Sequence, residues 1–194
     1  MAANKVKWGL CNVHYALATI ASDGSATYGD VEALPGAVDL SFDAEGEVTK
    51  FRADNQDYWT GGGNTGYSGS LEMALFPASF KEDVLNMKRD DKDVLYEDSN
   101  AEIKHFALLF EFAGDQNKTK HVFYNCTATR PTVAGHTTEE TLEPATESID
   151  IDVSSIYVSA LGTNITKAEA DETTDSTTYG SFYTSVYIPA PVST

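Results

Sequence analysis

The stretch from His105 to Arg130 constrains the fold more than any other part of the sequence. In its first half, a first row of large apolar residues alternates with a second row. The first row is Phe106, Leu108, Phe110 and Phe112, and the second is Ala107, Leu109 and Glu111. A period of two places successive side chains on opposite faces of a β-strand, so the four residues of the first row share one apolar face. Burial of each contributes about 1.5–3 kcal/mol before conformational entropy is subtracted. This strand therefore belongs in a core.

The second half of the stretch predicts the partner of that strand. A polar loop at residues 114–118 separates the two halves and is too long for a two-residue turn. The alternation then resumes with one row of Val122, Tyr124, Cys126 and Ala128 against another of His121, Phe123, Asn125 and Thr127. The pattern predicts an antiparallel β-hairpin that holds a sheet together.

Several shorter segments on the N-terminal side also predict strands. Val13–Ile20 and Ala26–Tyr28 flank Asp23-Gly24, which supplies the positive φ of a hairpin turn. Ala37–Phe42 alternates, with Val38, Leu40 and Phe42 on one face, and we expect it to pair with Val48–Phe51 across Glu45-Gly46. Ser68–Phe76 predicts a further strand, which Pro77 ends.

One helix is predicted, beginning at Ser79. The Ser79 hydroxyl and Glu82, three residues later, match a capping box. The helical spacing of Phe80, Val84 and Met87, with Leu85 beside them, predicts a stripe that packs on the sheet. The charged segment 88–102 predicts a solvated connection.

The C-terminal third contains one clear strand, Glu147–Val153. Its alternation directs Ile149, Ile151 and Val153 inward and Asp150 and Asp152 outward. Residues 159–174 show no periodicity, and residues 179–189 predict a short helix or strand that docks back on the body.

These elements predict one domain spanning residues 1–194, because the chain is long enough for one sizeable core and short for two. The fold class is mainly β. We expect an antiparallel β-sandwich or partly closed barrel with one flanking short α-helix, since the strands are short and no βαβ alternation occurs.

Charge is the outlying compositional property. The chain has 30 acidic and 13 basic residues, a formal net charge of −17, and ten of the acids lie from Pro131 onward against the single base Lys167. Tight nucleic-acid binding comes from clustered Lys and Arg that release counterions. DNA can therefore be a neighbour of this protein only where it must not adhere.

The sequence shows neither a signal peptide nor a membrane span, so we expect the chain to fold and stay in the cytosol unless exported by assembly. Cys11 and Cys126 could pair in an oxidising compartment. Cytosolic synthesis favours two buried free thiols instead.

No residue pattern predicts an enzyme, a cofactor or a metal site. The four histidines, His14, His105, His121 and His136, lack ligand-type spacing, although His105 and His121 could approach each other in the central hairpin. Asp150 and Asp152 could reach a calcium ion, but alternating acids are usually the solvated side of a strand. No nucleophile motif is present.

The segment Asp57–Tyr67 is rich in glycine and bracketed by aromatic residues. Its glycines at 61, 63 and 66 have the spacing of a dinucleotide-binding loop, but a strand rather than a helix is predicted to follow. The segment therefore predicts a mobile loop with exposed aromatic side chains, of the kind that a neighbouring molecule orders.

The order of short motifs along the chain resembles the major tail proteins of long, non-contractile-tailed bacteriophages and related prophages. The stretches that carry the resemblance are Lys5–Leu10 with Asn12–Ala16, Leu34–Val38, Ala53–Asn55 before Tyr58, Gly66–Glu72, Lys104–Phe112, Val122–Pro131, Glu143–Glu147 and Val186–Pro189. Residues 154–174 show no such match.

The resemblance implies a tail-tube fold, a β-sandwich with a flanking helix. It also implies hexameric rings of this protein that stack around the tape measure protein, and contacts with tail terminator and baseplate or distal tail proteins. DNA would pass through the tube without tight binding. The protein would be made and assembled in the host bacterial cytoplasm and reside in the virion tail, without a membrane partner.

Two candidate surfaces follow from this hypothesis. The self-assembly loop comprises Tyr58, Trp59, Gly61, Gly62, Gly63 and Tyr67. The acidic lumen face includes Asp150 and Asp152, unless that strand faces the exterior of the tube. The alternative hypothesis is a β-sandwich that binds carbohydrate, with Tyr58, Trp59 and Tyr67 as a stacking platform.

Overall fold

The fold is described here from a computed structural model of the 194-residue chain. The structure describes residues 6–46, 48–135, 137 and 144–191. His136 lies outside these ranges.

The described chain contains fifteen strands and two short helices. The strands are β1 (Leu10–Ile20), β2 (Ala26–Tyr28), β3 (Glu32–Ala33), β4 (Ala37–Glu45), β5 (Val48–Ala53), β6 (Gln56–Gly62), β7 (Gly66–Met73), β8 (Lys88–Arg89), β9 (Leu95–Tyr96), β10 (His105–Phe112), β11 (Lys120–Ala128), β12 (Glu147–Ser154), β13 (Ile156–Val158), β14 (Thr163–Ile165) and β15 (Lys167–Ala170). The helices are α1 (Ala78–Asp83) and α2 (Ser176–Ser181).

A nine-stranded antiparallel sheet organises the molecule in the order β2-β1-β10-β11-β12-β7-β4, with β3 beside β1 and β15 beside β11. Strand β11 changes partner along its length. Residues 120–123 pair with β15, and residues 125–128 pair with β12. The sheet does not close into a barrel. The mainly β, antiparallel fold with a flanking helix is thus confirmed, although a second short helix is also present.

The central hairpin is confirmed, but it is buried on both faces rather than one. Phe106, Leu108 and Phe110 lie in one core, and Ala107 and Leu109 lie in a second core on the opposite side of the sheet.

The alternation predicted for β11 is wrong, because Val122, Tyr124, Cys126 and Ala128 do not share one face. Val122 and Tyr124 enter the second core, whereas Phe123, Cys126 and Ala128 enter the first. The β10–β11 register shifts between Phe106 and Leu108, which is the signature of a bulge. A bulge adds one residue to a strand and so reverses the alternation beyond it.

Helix α1 covers the first core, as its apolar stripe predicts. Phe80 is buried and packs edge-on against Tyr15 and Phe106, with ring centroids 5.1 and 5.8 Å apart. The predicted capping box is wrong. The helix begins at Ala78 with Pro77 at the N-cap and no side-chain cap hydrogen bond, so Ser79 is the second helical residue and cannot cap it.

The C-terminal segment covers the second core. Strands β13, β14 and β15 and helix α2 lie between residues 156 and 181, although the sequence of residues 159–174 shows no periodicity. Helix α2 begins at an Asp175 cap, whose carboxylate accepts hydrogen bonds from the backbone N–H groups of Thr177 and Thr178. Phe182 is buried after this helix, which confirms that the end of the chain docks back.

The predicted pairing of Ala37–Phe42 with Val48–Phe51 is wrong. Strand β4 pairs with β7, and β5 pairs with β6. The true hairpin turn is Asp54-Asn55, whose φ values of 52° and 66° correspond to a type I′ turn.

Val38 does not share the inward face of Leu40 and Phe42. Its side chain is 51% exposed, because the β4–β7 register shifts between Ala37 and Asp39. Leu75 is also exposed, since β7 ends at Met73.

Both cysteines are free, and burial raises the pKa of the Cys126 thiol. Cys11 is half-buried rather than buried. Within the described ranges, no helix is long and apolar enough to cross a membrane.

We predict that Phe110→Ala lowers the free energy of unfolding by about 3–5 kcal/mol, because it leaves a cavity in the first core. The control is Phe51→Ala on strand β5, where the side chain is 60% exposed and the expected change is within about 0.5 kcal/mol. Urea denaturation of both variants measures the difference. Equal effects would contradict the assignment of Phe110 to the core.

Candidate assembly surfaces and an aromatic groove

Strand β12 presents the predicted acidic face. Ile149, Ile151 and Val153 are buried, and Asp150 and Asp152 are exposed, so the alternation is confirmed. The assignment of these aspartates to a lumen stays a prediction.

The structure extends this face over two neighbouring strands. The cross-strand registers align Ser148 with Glu72 and Asp39, Asp150 with Ser70 and Ser41, and Asp152 with Ser68 and Asp43. These nine residues, on the side of the sheet away from the first core, are called the acidic face below. It holds five carboxylates and no Lys or Arg. Serines of the middle strand separate Asp43 from Asp152, which limits the repulsion between them.

The β4 and β7 parts of the acidic face were not predicted from the sequence. The signal was present, because Asp39, Ser41 and Asp43 alternate with Leu40 and Phe42. The incorrect pairing of β4 with residues 48–51 concealed that β4 and β12 flank the same strand.

The acidic face ends at an open strand edge. Among the described residues, β4 pairs with β7 on one side and with no strand on the other. An unpaired edge presents backbone N–H and C=O groups that can hydrogen-bond a strand of another molecule.

Strands β5 and β6 form a separate two-stranded ribbon, called the arm below. Its ion pairs are internal, because the Asp57 carboxylate lies 3.0 Å from the Lys50 ammonium and 3.2 Å from the Arg52 guanidinium. Phe51 and Trp59 are directly opposite in the register and so share one face, and both are more than half exposed. The arm therefore presents an aromatic surface that the other described residues leave more than half exposed.

The predicted self-assembly loop is thus only partly brought together. Tyr58, Trp59, Gly61 and Gly62 belong to strand β6 of the arm rather than to a loop, and the Trp59 ring lies over Gly61. Tyr67 lies apart, half-buried in β7, with its ring centroid 5.2 Å from that of Phe123. The predicted exposure of Tyr58 and Trp59 is confirmed, at 69% and 57%.

The arm continues the β4–β7 hairpin through a glycine joint. Gly46 has a φ of 153°, and a Cβ there would collide with the carbonyl oxygen of Gly63. Beside this contact the backbone N–H of Thr65 donates to the carbonyl of Glu45 at 3.0 Å. The joint therefore requires glycine at position 46.

A groove of about 600 Å³ lies where the sheet fails to close. The N-terminal segment 7–10 and strand β4 form two of its sides, and residues of β7, β10, β11 and β15 form the rest. Its aromatic lining centres on Phe123, whose ring centroid lies 4.8 Å from that of Phe42 and 5.7 Å from that of Phe110. Its volume lies in the range of small-molecule sites.

Charged groups surround these rings. The Lys7 ammonium lies 4.5 Å from the Phe112 ring centroid, and that of Lys167 lies 5.6 Å from the Tyr67 ring centroid. The Glu169 carboxylate is 3.0 Å from Lys167 and 3.4 Å from Nδ1 of His121. Burial holds the pKa of His121 below its usual value, against the opposing attraction of Glu169.

The structure separates the two histidines considered for a metal site. His105 contacts the Asn125 side chain at 2.7 Å, whereas His121 lies opposite Phe110, five residues further along β10 and thus about 17 Å away. Within the described part of the chain, no group of three or more His, Cys, Asp or Glu side chains is placed to hold a metal ion.

Comparisons with known proteins found similarity to solved structures. No family model and no curated protein matches the sequence. Among solved structures, the chain is similar to a chain in the cryo-EM structure of an extracellular contractile injection system, the PVC sheath-tube complex in its extended state. The TM-score is 0.47 at 11% identity, over 88% of this chain and 93% of the other.

We predict that Gly46→Ala disrupts the base of the arm while leaving the two cores folded. The amide hydrogen of Thr65 should exchange faster, because the alanine side chain forces residues 45 and 65 apart. Gly63→Ala is the matched control, since a Cβ there meets no atom within 4 Å. Hydrogen exchange followed by NMR compares the variants. Unchanged Thr65 exchange in Gly46→Ala would contradict the close glycine contact.

We also predict that His121 makes the free energy of unfolding depend on pH. Because the folded-state pKa lies below the unfolded value of about 6.5, the unfolded chain binds a proton first as the pH falls. The stability that neutral His121 contributes is therefore fully present above about pH 6.5 and is lost as the pH falls toward the folded-state pKa. Urea denaturation at several pH values should show that the free energy of unfolding falls less on acidification for His121→Gln than for wild type. Parallel curves would contradict the prediction.

Proposed function

We propose that this protein is a structural subunit that self-associates into a tube with the acidic face on the wall of its lumen. The observation that carries the proposal is the extent of that face. At its nine aligned positions, three adjacent strands present only carboxylates and serine hydroxyls, and the last of these strands lies at an open edge. A second copy that pairs at this edge extends the same surface, and repeated head-to-tail pairing closes into a ring.

The arm supplies a second contact in this proposal. It carries no residue of either core, and its ion pairs are internal, so it can contact another copy without disturbing its own domain. Exposed aromatic side chains such as Phe51 and Trp59 supply large contact areas at an interface. We infer that the arm links copies along the axis of the tube.

The finer proposal follows the sequence resemblance to major tail proteins of long-tailed bacteriophages. In it, hexameric rings stack around a tape measure protein, and DNA later passes through the lumen. The acidic face supports passage, because each Lys or Arg on the wall would add a phosphate contact and many such contacts would arrest the duplex. Assembly in a bacterial cytoplasm and residence in the virion tail belong to this proposal.

We predict that deletion of Gly61–Asn64 leaves a folded domain that no longer forms tubes. Circular dichroism and thermal melting should match the wild type, because both cores lie outside the arm. Negative-stain electron microscopy of concentrated protein should show tubes for the wild type only. Tubes formed by the deletion variant would remove the arm from assembly.

Carbohydrate binding on the arm is the second candidate function, since Tyr58 and Trp59 are exposed as a stacking platform would be. Carbohydrate binding would be favoured over the tube if the protein bound glycans on an array, lost that binding when Trp59 was replaced, and never assembled.

We predict that Asp150→Lys combined with Asp152→Lys permits folding and assembly but slows genome release from particles. Exposed charges on a strand face cost little stability, whereas lysines on the wall bind phosphates. The delay should shrink as salt rises, because screening weakens these contacts. Release is measured by dye binding to ejected DNA.

The matched control is Asp30→Lys with Asp91→Lys. Both aspartates are exposed and lie outside the acidic face, and the net charge changes equally. Control particles should release DNA at the wild-type rate. Equal delay in both double variants would assign the effect to net charge, and wild-type kinetics in particles that contain the Asp150/Asp152 variant would place these residues outside the lumen.

A further inference from the structure

The groove between segment 7–10 and strands β4, β11 and β15 has features that tube assembly does not require. It is a concave site of about 600 Å³, whereas the proposed assembly surfaces are a sheet face, a strand edge and the arm. Its floor is aromatic and its charged groups face those rings.

The charges inside the groove favour an anion. Lys167 and His121 both contact the Glu169 carboxylate, so that negative charge is compensated within the groove. Lys7 has no carboxylate partner among the ion pairs of the described residues, and its ammonium lies against the Phe112 ring. Asp39 also lines the groove, but its register with Glu72 assigns its side chain to the acidic face.

The rings favour an aromatic group beside that anion. Phe42, Tyr67 and Phe110 all pack around Phe123 with centroid distances between 4.8 and 5.7 Å. Phe112 lies at the other side of this cluster and contacts the His121 ring at 5.7 Å. An aromatic ring that enters the groove can make the offset or edge-to-face contacts that such rings make with one another.

We propose that the groove binds an aromatic ring that carries a carboxylate, with the ring against Phe112 and Phe123 and the carboxylate at Lys7 and Lys167. Two sources share this chemistry. One is a free aromatic carboxylic acid, and the other is the Asp57-Tyr58-Trp59 segment in the arm of a second copy, where the Asp57 carboxylate would exchange its ion pairs with Lys50 and Arg52 for the groove lysines.

The probe is phenylacetate, titrated into dilute, unassembled protein and followed by NMR chemical shifts. Saturable one-to-one binding with shifts at groove residues is expected. Phenylacetamide lacks the charge and cyclohexylacetate lacks the aromatic ring, and both should bind more weakly. Binding of all three with equal affinity, or no binding of phenylacetate at millimolar concentration, would overturn the proposal.

Variants test the position of the carboxylate. Lys7→Gln and Lys167→Gln should each weaken phenylacetate binding roughly three- to tenfold, as expected for one charge-assisted hydrogen bond at a partly exposed site. Lys92→Gln is the control, because Lys92 is exposed on the turn between β8 and β9, away from the groove. Affinities unchanged in both groove variants would overturn the proposal.

The same titration on assembled protein distinguishes the two sources. Retained binding indicates that the groove stays open and takes a free aromatic acid. Binding that is lost on assembly, with the groove lysines still required in the dilute protein, indicates that the arm of another copy fills it. The titration of dilute protein does not depend on the proposed tube. Failure of the groove proposal and failure of the tube proposal therefore give different results.

Discussion

Burial of the β10–β11 hairpin on both faces is the constraint on which the rest of the structure depends. One face requires helix α1 and the inner sides of β1, β7 and β12, and the other requires β13, β14 and the C-terminal segment. Because Ala107 and Leu109 are as deeply buried as Phe106 and Leu108, neither cover can be removed without exposing the central strands to water. The acidic face and the open β4 edge belong to the β12-β7-β4 end of the strand order, and the arm continues from β4 and β7.

This arrangement divides the molecule into a body that contains the two cores and surfaces that face outward. Strands β12, β7 and β4 place apolar residues in the first core and carboxylates outside, so the same alternation that stabilises the domain also creates the acidic face. The arm leaves the body through a joint where Gly46 contacts Gly63, and it contributes to neither core. The proposed tube uses the edge and the arm for contacts between copies and leaves the acidic face free.

Elements with a strict period of two could be predicted from the sequence, and elements defined by partner choice could not. Glu147–Val153 was predicted with the correct inward and outward residues because its alternation is unbroken. The β11 row was predicted wrongly because a bulge reversed it, and a bulge leaves no mark in the pattern of apolar residues. Strands β4 and β7 are separated in sequence by the whole arm, so no local pattern predicts that they pair. The positive-φ pair Asp54-Asn55 was nevertheless a local signal for the true turn. The groove joins residues 7 and 167, and no local pattern predicts it.

The most direct test of the central claim is a cryo-EM reconstruction of the purified protein assembled at high concentration. The account predicts a hollow tube whose inner wall consists of β12, β7 and β4, with Asp150 and Asp152 pointing into the lumen and β4 paired with the next copy. A tube whose acidic face points outward would contradict the assignment of the lumen. Protein that stays monomeric at every concentration tested would contradict the tube itself.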